Sequence, residues 1–259
     1  MNKVLPLKRF GQNYLQDQNI IKKIVTEVNP KENDLIIEIG PGQGALTKYL
    51  FESNANFTAV EIDKRVIEDL RNRFTNLKLI QQDFLELNLT NFISSPDSKI
   101  RVVGNIPYNI TSPILFKLFE NNSIIEDVVF MVQYEVAKRM TAGIGNKEYG
   151  ILAVMLNYFG KTKLAFKVSP NVFYPKPNVH SAVIHIHFND VRNNSEFNSI
   201  FKSIVKSSFG NRRKTLKNSL SNGIFAGVDF SECGIDLSLR AEQLTVNDFI
   251  KLTEFTINK

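Results

Sequence analysis

The sequence feature that most constrains the fold is an apolar strand that leads into a glycine-rich turn and then a helix. Residues 34–47 read Asp-Leu-Ile-Ile-Glu-Ile-Gly-Pro-Gly-Gln-Gly-Ala-Leu-Thr. Glycine allows the backbone to approach a ligand closely and to adopt positive φ angles in the turn. A helix is predicted to begin near Gln43, with Leu46, Tyr49 and Leu50 on its apolar face. This order of elements is typical of the first β-turn-α unit of a doubly wound α/β sheet.

The glycine turn by itself is compatible with two kinds of cofactor. Residues 40–45 satisfy the G-x-G-x-x-A dinucleotide pattern, whereas the E-x-G-x-G-x-G form of residues 38–44 favours S-adenosylmethionine, which has no pyrophosphate to bind at a helix N-terminus. The next predicted strand, 56–63, carries Glu61 about 20 residues after the first glycine, where such folds place the acid that binds the ribose hydroxyls. These residues favour S-adenosylmethionine and leave a dinucleotide open.

A third predicted strand, residues 77–85, ends in an acid followed by an aromatic residue. The Asp83 carboxylate can accept a hydrogen bond from the 6-amino group of an adenine, and Phe84 or Ile62 can cover the face of that ring. An ordinary helix-capping aspartate is the alternative for Asp83. Because open α/β sheets bind ligands at the carboxyl ends of their strands, three such strand ends together indicate an S-adenosylmethionine site.

The fourth strand end, residues 101–109, carries groups suited to holding an amine. Asn105 offers an amide carbonyl, and Pro107 fixes φ and lacks an N–H, so the carbonyl of Ile106 is directed outward. Tyr108 offers a π face to a base that has left its stack. For this tetrapeptide alone, a strand that ends in a proline turn is the alternative. Beside a cofactor site, it indicates that the exocyclic amine of a base is held against an electrophile.

The cysteine content and hydropathy of the chain indicate its compartment, and the positions of its histidines indicate whether it binds a metal. Cys233 is the only cysteine, so the chain can form no internal disulfide, and a reducing compartment is expected. Strand alternation over residues 181–188 places His185 and His187 on one face, which we expect to be partly exposed and to bind no metal. The chain has no apolar run of about 18 residues and no apolar signal segment at its start, so a cytoplasmic protein without a membrane span is expected.

The net charge of +6 is concentrated in one segment. Residues 197–228 contain six basic residues and no Asp or Glu, and the 26 acidic residues of the chain balance the other basic ones. A solvated helix face is the alternative, but an acid-free segment of this length favours a surface that faces RNA phosphates. The candidate RNA-binding residues are Lys202, Lys206, Arg212, Arg213, Lys214 and Lys217.

Together these motifs resemble those of the KsgA-like ribosomal RNA adenine N6,N6-dimethyltransferases. Besides the strand ends described above, the resemblance includes KRFGQNYL at residues 8–15, FYPKPNVHSAV at 173–183 and FGNRRKTL at 209–216. It covers nearly the whole chain. Erm-type large-subunit rRNA methyltransferases share Asn-Ile-Pro-Tyr, but the first and last of these motifs are more similar to the KsgA type. A related RNA- or DNA-binding transcription factor with secondary catalysis and a nicotinamide oxidoreductase are further alternatives, which the intact cofactor and amine-holding motifs disfavour.

The resemblance implies a substrate and a set of roles. The expected activity is dimethylation of N6 on two adjacent adenines in a hairpin loop near the 3′ end of small-subunit rRNA, as RNA or in a pre-small-subunit particle, by a monomer. Tyr108 and Phe173 are expected to sandwich the target adenine, beside Asn105, Ile106 and Pro107. The residues expected to bind S-adenosylmethionine are Asn13, Leu15, Gly40, Gly42, Glu61, Ile62, Asp83, Phe84 and Asn105.

The predicted fold is α/β, a Rossmann-like doubly wound methyltransferase sheet, mostly parallel, with a small C-terminal all-helical domain. Residues 1–190 form the methyltransferase domain, in which residues 1–30 are a helical lead-in whose residues 10–15 fold over the cofactor. The loop 170–177, stiffened by three prolines, is expected to hold Phe173 out towards the substrate. Residues 191–259 form the helical, RNA-binding domain.

Overall fold

The computed structural model describes residues 4–7, 10–189, 194–211 and 213–259. The chain divides into two compact units, Met1–Ala137 with Thr162–Asn189, and Lys138–Lys161 with Asp190–Lys259. The second unit therefore includes residues 138–161, which the sequence interpretation assigned to the first domain, as well as the residues that follow 190. Among the described residues, no helix combines the length and apolar character needed to cross a bilayer.

The first unit is built on a seven-stranded sheet of order β4-β3-β2-β5-β6-β9-β7. The strands, in chain order after a short β1 (Tyr14–Leu15), are β2 (Leu35–Ile39), β3 (Asn56–Glu61), β4 (Lys78–Gln81), β5 (Ile100–Asn105), β6 (Ile125–Gln133), β7 (Gly160–Val168) and, after a short β8 (Phe173–Tyr174), β9 (Ser181–Phe188). The first five strands of the sheet, β2 to β6, pair in parallel, and β9 pairs antiparallel with β6. This mostly parallel sheet confirms the predicted Rossmann-like fold.

The central strands are buried on both faces, as helix-covered parallel strands must be. Ile36 and Ile37 in β2 are fully buried, and so are the aliphatic residues of β5 and β6. The helices of this unit are α1 (Gln18–Val28), α2 (Thr47–Phe51), α3 (Lys64–Arg73), α4 (Thr111–Glu120) and α5 (Tyr134–Met140), the last of which runs into the second unit.

Helix α2 begins at Thr47, later than the start near Gln43 that the sequence indicated. Gly40, Gly42 and Gly44 have φ angles of +63°, +53° and +75°, which belong to the left-handed region. A right-handed helix cannot pass through residues in that conformation, so the turn extends beyond the last of these glycines before the helix begins.

Outside the main sheet, β1 and β8 form a two-stranded antiparallel sheet. Tyr14 lies opposite Tyr174, and Leu15 lies opposite Phe173. The N-terminal segment is thereby joined to the 173–183 motif by backbone hydrogen bonds. This pairing determines which side chains of β8 are buried.

The second unit is helical and has an aromatic core. Its helices are α6 (Ile151–Phe159), α7 (Ser195–Phe209), α8 (Leu216–Leu220) and α9 (Val246–Ile257). The rings of Tyr158 and Phe201 stack with centroids 4.0 Å apart, and the Tyr149 hydroxyl donates to the Leu244 carbonyl at 3.1 Å. A capping box between Thr245 and Asp248 begins the last of these helices, α9, at Val246.

The histidine face of β9 is partly exposed, as the sequence predicted, because His187 is exposed, but its other histidine is not. His185 is buried; its Nδ1 lies 2.9 Å from a Glu27 carboxylate oxygen, and its Nε2 lies 2.8 Å from Asp127. Both Asp127 oxygens also accept hydrogen bonds from Arg101, at 2.8 and 2.7 Å. Asp127, His185 and His187 bring possible metal-ligand atoms within 4.8 Å of one another, but these bonds organise Asp127 and His185 as an ion-paired network.

Candidate active site

The carboxyl ends of β2, β3, β4 and β5 meet at one cavity of about 220 Å³ in the first unit. Its walls come from these strand ends and from the N-terminal segment, and the lining residues are 10–15, 38–43, 45–46, 60–62, 82–85 and 105–110. The cavity brings together every residue that was predicted to bind the cofactor and also Ile106, Pro107 and Tyr108. Phe173 is the one predicted cofactor-site or catalytic residue that does not line it.

The glycine turn forms an open wall of this cavity. A Cβ atom added at Gly40 would meet no atom within 4 Å, so the space beside this backbone is available to a ligand. A Cβ added at Gly42 would lie 2.9 Å from the ring of Tyr14, and the turn therefore packs closely under the N-terminal segment. Gly40 thus provides a cradle of the kind that a bulky cofactor requires.

Glu61 presents a buried carboxylate at the end of β3. One of its oxygens, Oε1, accepts hydrogen bonds from the backbone N–H groups of Ile62 and Asp63, both at 2.9 Å. The other, Oε2, has among the described residues only a long contact of 3.4 Å with Gly42 N. Burial raises the pKa of Glu61, and the backbone donors oppose that rise. The fixed carboxylate therefore keeps capacity on Oε2 to accept a further hydrogen bond, as from a hydroxyl.

Glu38 is a second buried acid of the cavity, and it was not among the predicted site residues. It accepts a hydrogen bond of 2.7 Å from the Thr47 hydroxyl. Burial raises the pKa of Glu38 to about 8, and the nearby Glu61 charge adds to the rise. Its signal in the sequence was the first position of the E-x-G-x-G pattern, which we used only to distinguish between cofactors.

Asp83 both caps a turn and lines the cavity, the two roles that the sequence left as alternatives. Its Oδ1 accepts from Leu85 N at 2.8 Å and so caps a short 3-10 turn over Phe84–Glu86, and the residue also lines the cavity. Within the described residues, Oδ2 has no hydrogen-bond donor and is open to a ligand. The neighbouring ring of Phe84 is buried, whereas the Ile62 side chain is 49% exposed.

The N-terminal segment is attached to the cavity by Gln12, which sequence reasoning missed. Its Oε1 accepts from Leu7 N at 2.8 Å and from the Tyr14 hydroxyl at 3.0 Å, and its Nε2 donates to Asp63 at 3.1 Å. Burial, with the nearby Asp63 and Glu61 charges, raises the pKa of Tyr14 to about 12. No sequence motif could reveal these contacts of Gln12, because its partners lie up to 51 positions away. Lys8 and Arg9, the first two residues of the KRFGQNYL motif, lie outside the described residues.

The amide of Asn105 has a defined orientation. Its Nδ2 donates to the backbone carbonyl of Asn13 at 2.8 Å, so the side-chain Oδ1 remains as the acceptor. The backbone of Ile106 is fixed by a hydrogen bond from its N–H to the Met131 carbonyl at 3.0 Å. The strand end therefore contributes to the cavity lining a neutral amide whose oxygen remains an acceptor.

Tyr108 is held by a residue of the 173–183 motif. The hydroxyl oxygens of Tyr108 and Ser181 lie 2.8 Å apart, and Ser181 is fully buried at the start of β9. Burial raises the pKa of Tyr108, although the bond with Ser181 opposes the rise. Tyr108 is therefore a neutral phenol at physiological pH, and it offers the cavity an aromatic ring and a hydroxyl group.

Phe173 does not extend towards the substrate, and that expectation is wrong for this structure. Its side chain is 5% exposed and belongs to the hydrophobic core together with Leu15 and Ile21. Successive side chains of a strand lie on opposite faces, and the exposed aromatic residue of β8 is Tyr174, at 56%.

The candidate RNA-binding residues lie on α7, on α8 and in the segment between these helices. Lys206, Arg213, Lys214 and Lys217 are exposed, and Lys202 is half-buried. Arg212 lies outside the described residues. Within the second unit, the exposed members thus form a run of positive charge beside a packed aromatic core.

Comparison with known proteins agrees with this geometry. The model of the family described as ribosomal RNA adenine dimethylase matches residues 7–258. The chain is 42% identical to ribosomal RNA small subunit methyltransferase A of Francisella tularensis subsp. novicida, over 96% of each chain. It is 45% identical to the protein of that name from Chlorobium phaeobacteroides, over 95% of this chain and 91% of the relative.

Two solved structures share the fold. A dimethyladenosine transferase from Plasmodium falciparum has a TM-score of 0.77 at 24% identity, covering 94% of this chain and 97% of its own. The 23S rRNA methyltransferase ErmE has a TM-score of 0.69 at 25% identity, covering 94% and 99%. Since the family match extends over nearly the whole sequence and the strand ends carry the expected cavity, the chain belongs to the ribosomal RNA adenine dimethylase family.

Proposed function

We propose that the protein dimethylates N6 of two adjacent adenines in a hairpin loop near the 3′ end of small-subunit rRNA, with S-adenosylmethionine as the methyl donor. The observation that carries this proposal is the orientation of Asn105. Its amide nitrogen is engaged by the Asn13 carbonyl, so its oxygen is the atom that the cavity offers to an amine.

The small subunit is favoured as the substrate by the comparisons. Relatives that are 42–45% identical over nearly the full length carry the name of a small-subunit methyltransferase, whereas ErmE, named for 23S rRNA, is 25% identical. The protein would act on the rRNA or on a pre-small-subunit particle, as a monomer. The single cysteine fits a reducing compartment, and we place the action of the protein in the cytoplasm.

The cavity residues fit S-adenosylmethionine by the chemistry of each wall. Glu61 Oε2 would accept from the ribose hydroxyls, and Asp83 Oδ2 would accept from the adenine 6-amino group. Ile62 and Phe84 would contact the adenine ring, and Gly40 leaves room beside the backbone. The remaining members of the proposed site, Asn13, Leu15, Gly42 and Asn105, lie in the same wall, where the N-terminal segment meets the glycine turn and the end of β5.

S-adenosylmethionine supplies an electrophilic methyl group. The chain then has to hold a weak nucleophile, because the lone pair of the adenine N6 is delocalised into the ring. Asn105 Oδ1 and the Ile106 carbonyl would accept the two N–H hydrogens, which favours a pyramidal nitrogen. Tyr108 would stack on the base. Such alignment and preorganised acceptors can lower a barrier by several kcal/mol.

Proton removal needs no dedicated base in this scheme. None of the described residues that line the cavity is a histidine, and Tyr108 remains a neutral phenol. The nitrogen becomes positively charged only as the methyl group is transferred, and its proton then passes to water. Because Asn105 can accept one hydrogen at a time, the monomethylated amine remains a substrate for a second transfer.

The test is a methylation assay with small ribosomal subunits from cells that lack the gene. The purified protein and labelled S-adenosylmethionine should yield N6,N6-dimethyladenosine in small-subunit rRNA, located by mass spectrometry of nuclease fragments. Large subunits from the same cells serve as the control. Methylation confined to large-subunit rRNA, or no methylation of either subunit, would contradict the proposal.

A further inference from the structure

A surface beside the cavity has features that the proposed reaction leaves unexplained. It consists of Tyr134, Lys167, Tyr174, Lys176, Val179 and His180, all within the first unit, and we call it the rim surface. Tyr174 lies opposite Tyr14 in the β1–β8 pair, and Tyr14 lines the cavity. The Tyr174 side chain is 56% exposed, so a large aromatic ring stands in solvent on the strand that pairs with this lining segment.

The rim surface is held in place from both sides. At its far end, the N–H of Tyr134 donates to the His180 carbonyl at 2.9 Å. The next residue along the chain, Ser181, bonds the hydroxyl of Tyr108 at 2.8 Å. The segment 174–180 is therefore continuous with the residue proposed to stack on the target base. Val179, at 44% exposed, adds a second apolar side chain to the same segment.

Along the chain, this segment belongs to a stretch without acidic residues, although Glu135 adjoins Tyr134 and Glu27 pairs with Lys163 and His185. Residues 149–189 contain four lysines, three histidines and no Asp or Glu, which makes them a second acid-free stretch of the chain. Lys167 and Lys176 are exposed, and Lys167 Nζ lies 4.7 Å from the centre of the Tyr134 ring. Exposed rings interleaved with cations match a single-stranded nucleic acid, whose bases stack while its phosphates carry negative charge.

We propose that the rim surface binds the single-stranded nucleotides that flank the target adenine, with one base stacked on Tyr174 and phosphates near Lys167 and Lys176. This inference rests on the proposed function, since it takes rRNA as the substrate. A base that is extruded from its stack leaves unstacked neighbours, and a stacking platform beside the cavity stabilises them in that state. The rim surface thereby positions the loop, whereas Asn105 and Tyr108 position the reacting base.

The first experiment compares Tyr174→Ala and Tyr174→Phe in the assay with small ribosomal subunits. Loss of one base-aromatic stack should raise KM for the subunit by about 5- to 150-fold in Tyr174→Ala. Tyr174→Phe should stay within about twofold of wild type, because it retains the ring. Affinity for S-adenosylmethionine, measured by calorimetry, should be unchanged in both. Ile257→Ala, which truncates an exposed apolar residue at the end of α9, is the matched control.

The second experiment does not depend on activity. The photo-crosslinking residue p-benzoylphenylalanine is placed at position 174, and the protein is irradiated together with small subunits. The cross-linked nucleotides are then mapped by reverse-transcription stops. Stops within a few nucleotides of the methylated adenines support the proposal. Cross-links only to a ribosomal protein, or a KM for Tyr174→Ala equal to that of wild type, would overturn it. If wild-type protein methylates no small-subunit adenine, the proposed function itself has failed.

Discussion

The hydroxyl oxygen of Tyr108 lies 2.8 Å from that of Ser181, 73 positions later in the chain. Tyr108 belongs to the strand end that lines the cavity, and Ser181 is a fully buried residue at the start of β9. This bond connects two motifs that lie far apart in the sequence. It also fixes the ring of Tyr108, because a buried hydroxyl has few other partners to choose from.

We expect Ser181→Ala to lower kcat by about 2- to 13-fold, the effect of losing one neutral hydrogen bond. Tyr108→Phe removes the same bond from the other side, so the double variant should be little worse than either single one. The affinity for cofactor should not change, since neither hydroxyl is assigned to it. If the fold-losses in kcat of the two single variants multiply in the double variant, the two hydroxyl groups act independently.

Asn105→Ala should lower kcat by about 100- to 1,000-fold, as removal of a preorganised polar group from an active site does. The Asn105→Ala variant should bind rRNA with the affinity of wild type. Asn105→Asp is the informative comparison, because it retains an acceptor but loses the Nδ2 donor that bonds the Asn13 carbonyl. Near-normal turnover by Asn105→Ala, measured by labelled methyl transfer, would mean that the amine is held elsewhere.

Glu61→Ala should weaken S-adenosylmethionine binding by about 1.5–3 kcal/mol, the contribution of a hydrogen bond to a charged group. The matched control is Glu68→Ala, which removes an exposed carboxylate from α3 in the same unit. Isothermal calorimetry of both variants measures the difference directly. If the two variants bind with the same affinity as wild type, Glu61 does not contact the ribose.

The mostly parallel sheet and the residues that line the cavity could be predicted because the patterns that indicate them are local in sequence. The glycine spacing and the acid at the end of each strand can each be recognised within a few consecutive residues. Gly40, Gly42, Glu61 and Asp83 all line the cavity. By contrast, the sequence could not show which of Phe173 and Tyr174 is buried. That choice is made by the pairing of β8 with β1, which lie about 160 positions apart, and alternation then places one ring in the core and the other in solvent.

His185 was misjudged for the same reason. Its acidic partners, Glu27 and Asp127, are 158 and 58 positions away, and neither belongs to a recognisable pattern with it. An alternating strand predicted a partly exposed face without saying which histidine is covered, whereas the fold provides two carboxylates that make burial of the His185 imidazole favourable. Long-range ion pairs of this kind leave no periodic signal.

The pH dependence of stability should reveal this network. Burial alone would lower the pKa of His185, but its bonds with Asp127 and Glu27 outweigh burial and raise the pKa above 6.5. A folded-state pKa above the unfolded one means that the stabilisation is complete below about pH 6.5 and is lost as pH rises through the folded-state pKa. His187, whose pKa is lowered by burial and by His185, contributes in the opposite sense.

Urea unfolding of wild type and His185→Gln from pH 5.5 to 9 separates these contributions. The variant should be less stable than wild type at pH 6, and the gap should narrow as the pH rises. His180→Gln, at an exposed position of the rim surface, is the control and should keep the wild-type profile. A gap that widens with pH would mean that His185 is neutral in the folded protein.

The salt dependence of RNA binding tests the basic segment. If Arg213, Lys214 and Lys217 contact phosphates, binding releases counterions, and each contact removed should reduce the slope of log K against log salt by about 0.7–0.9. The triple alanine variant should lose affinity equally for the cognate hairpin and an unrelated one, because phosphate contacts do not identify bases. Affinity for S-adenosylmethionine should stay the same, since these residues belong to the second unit and the cavity is lined by the first. A well-folded variant with an unchanged slope would show that these charges face solvent and not RNA.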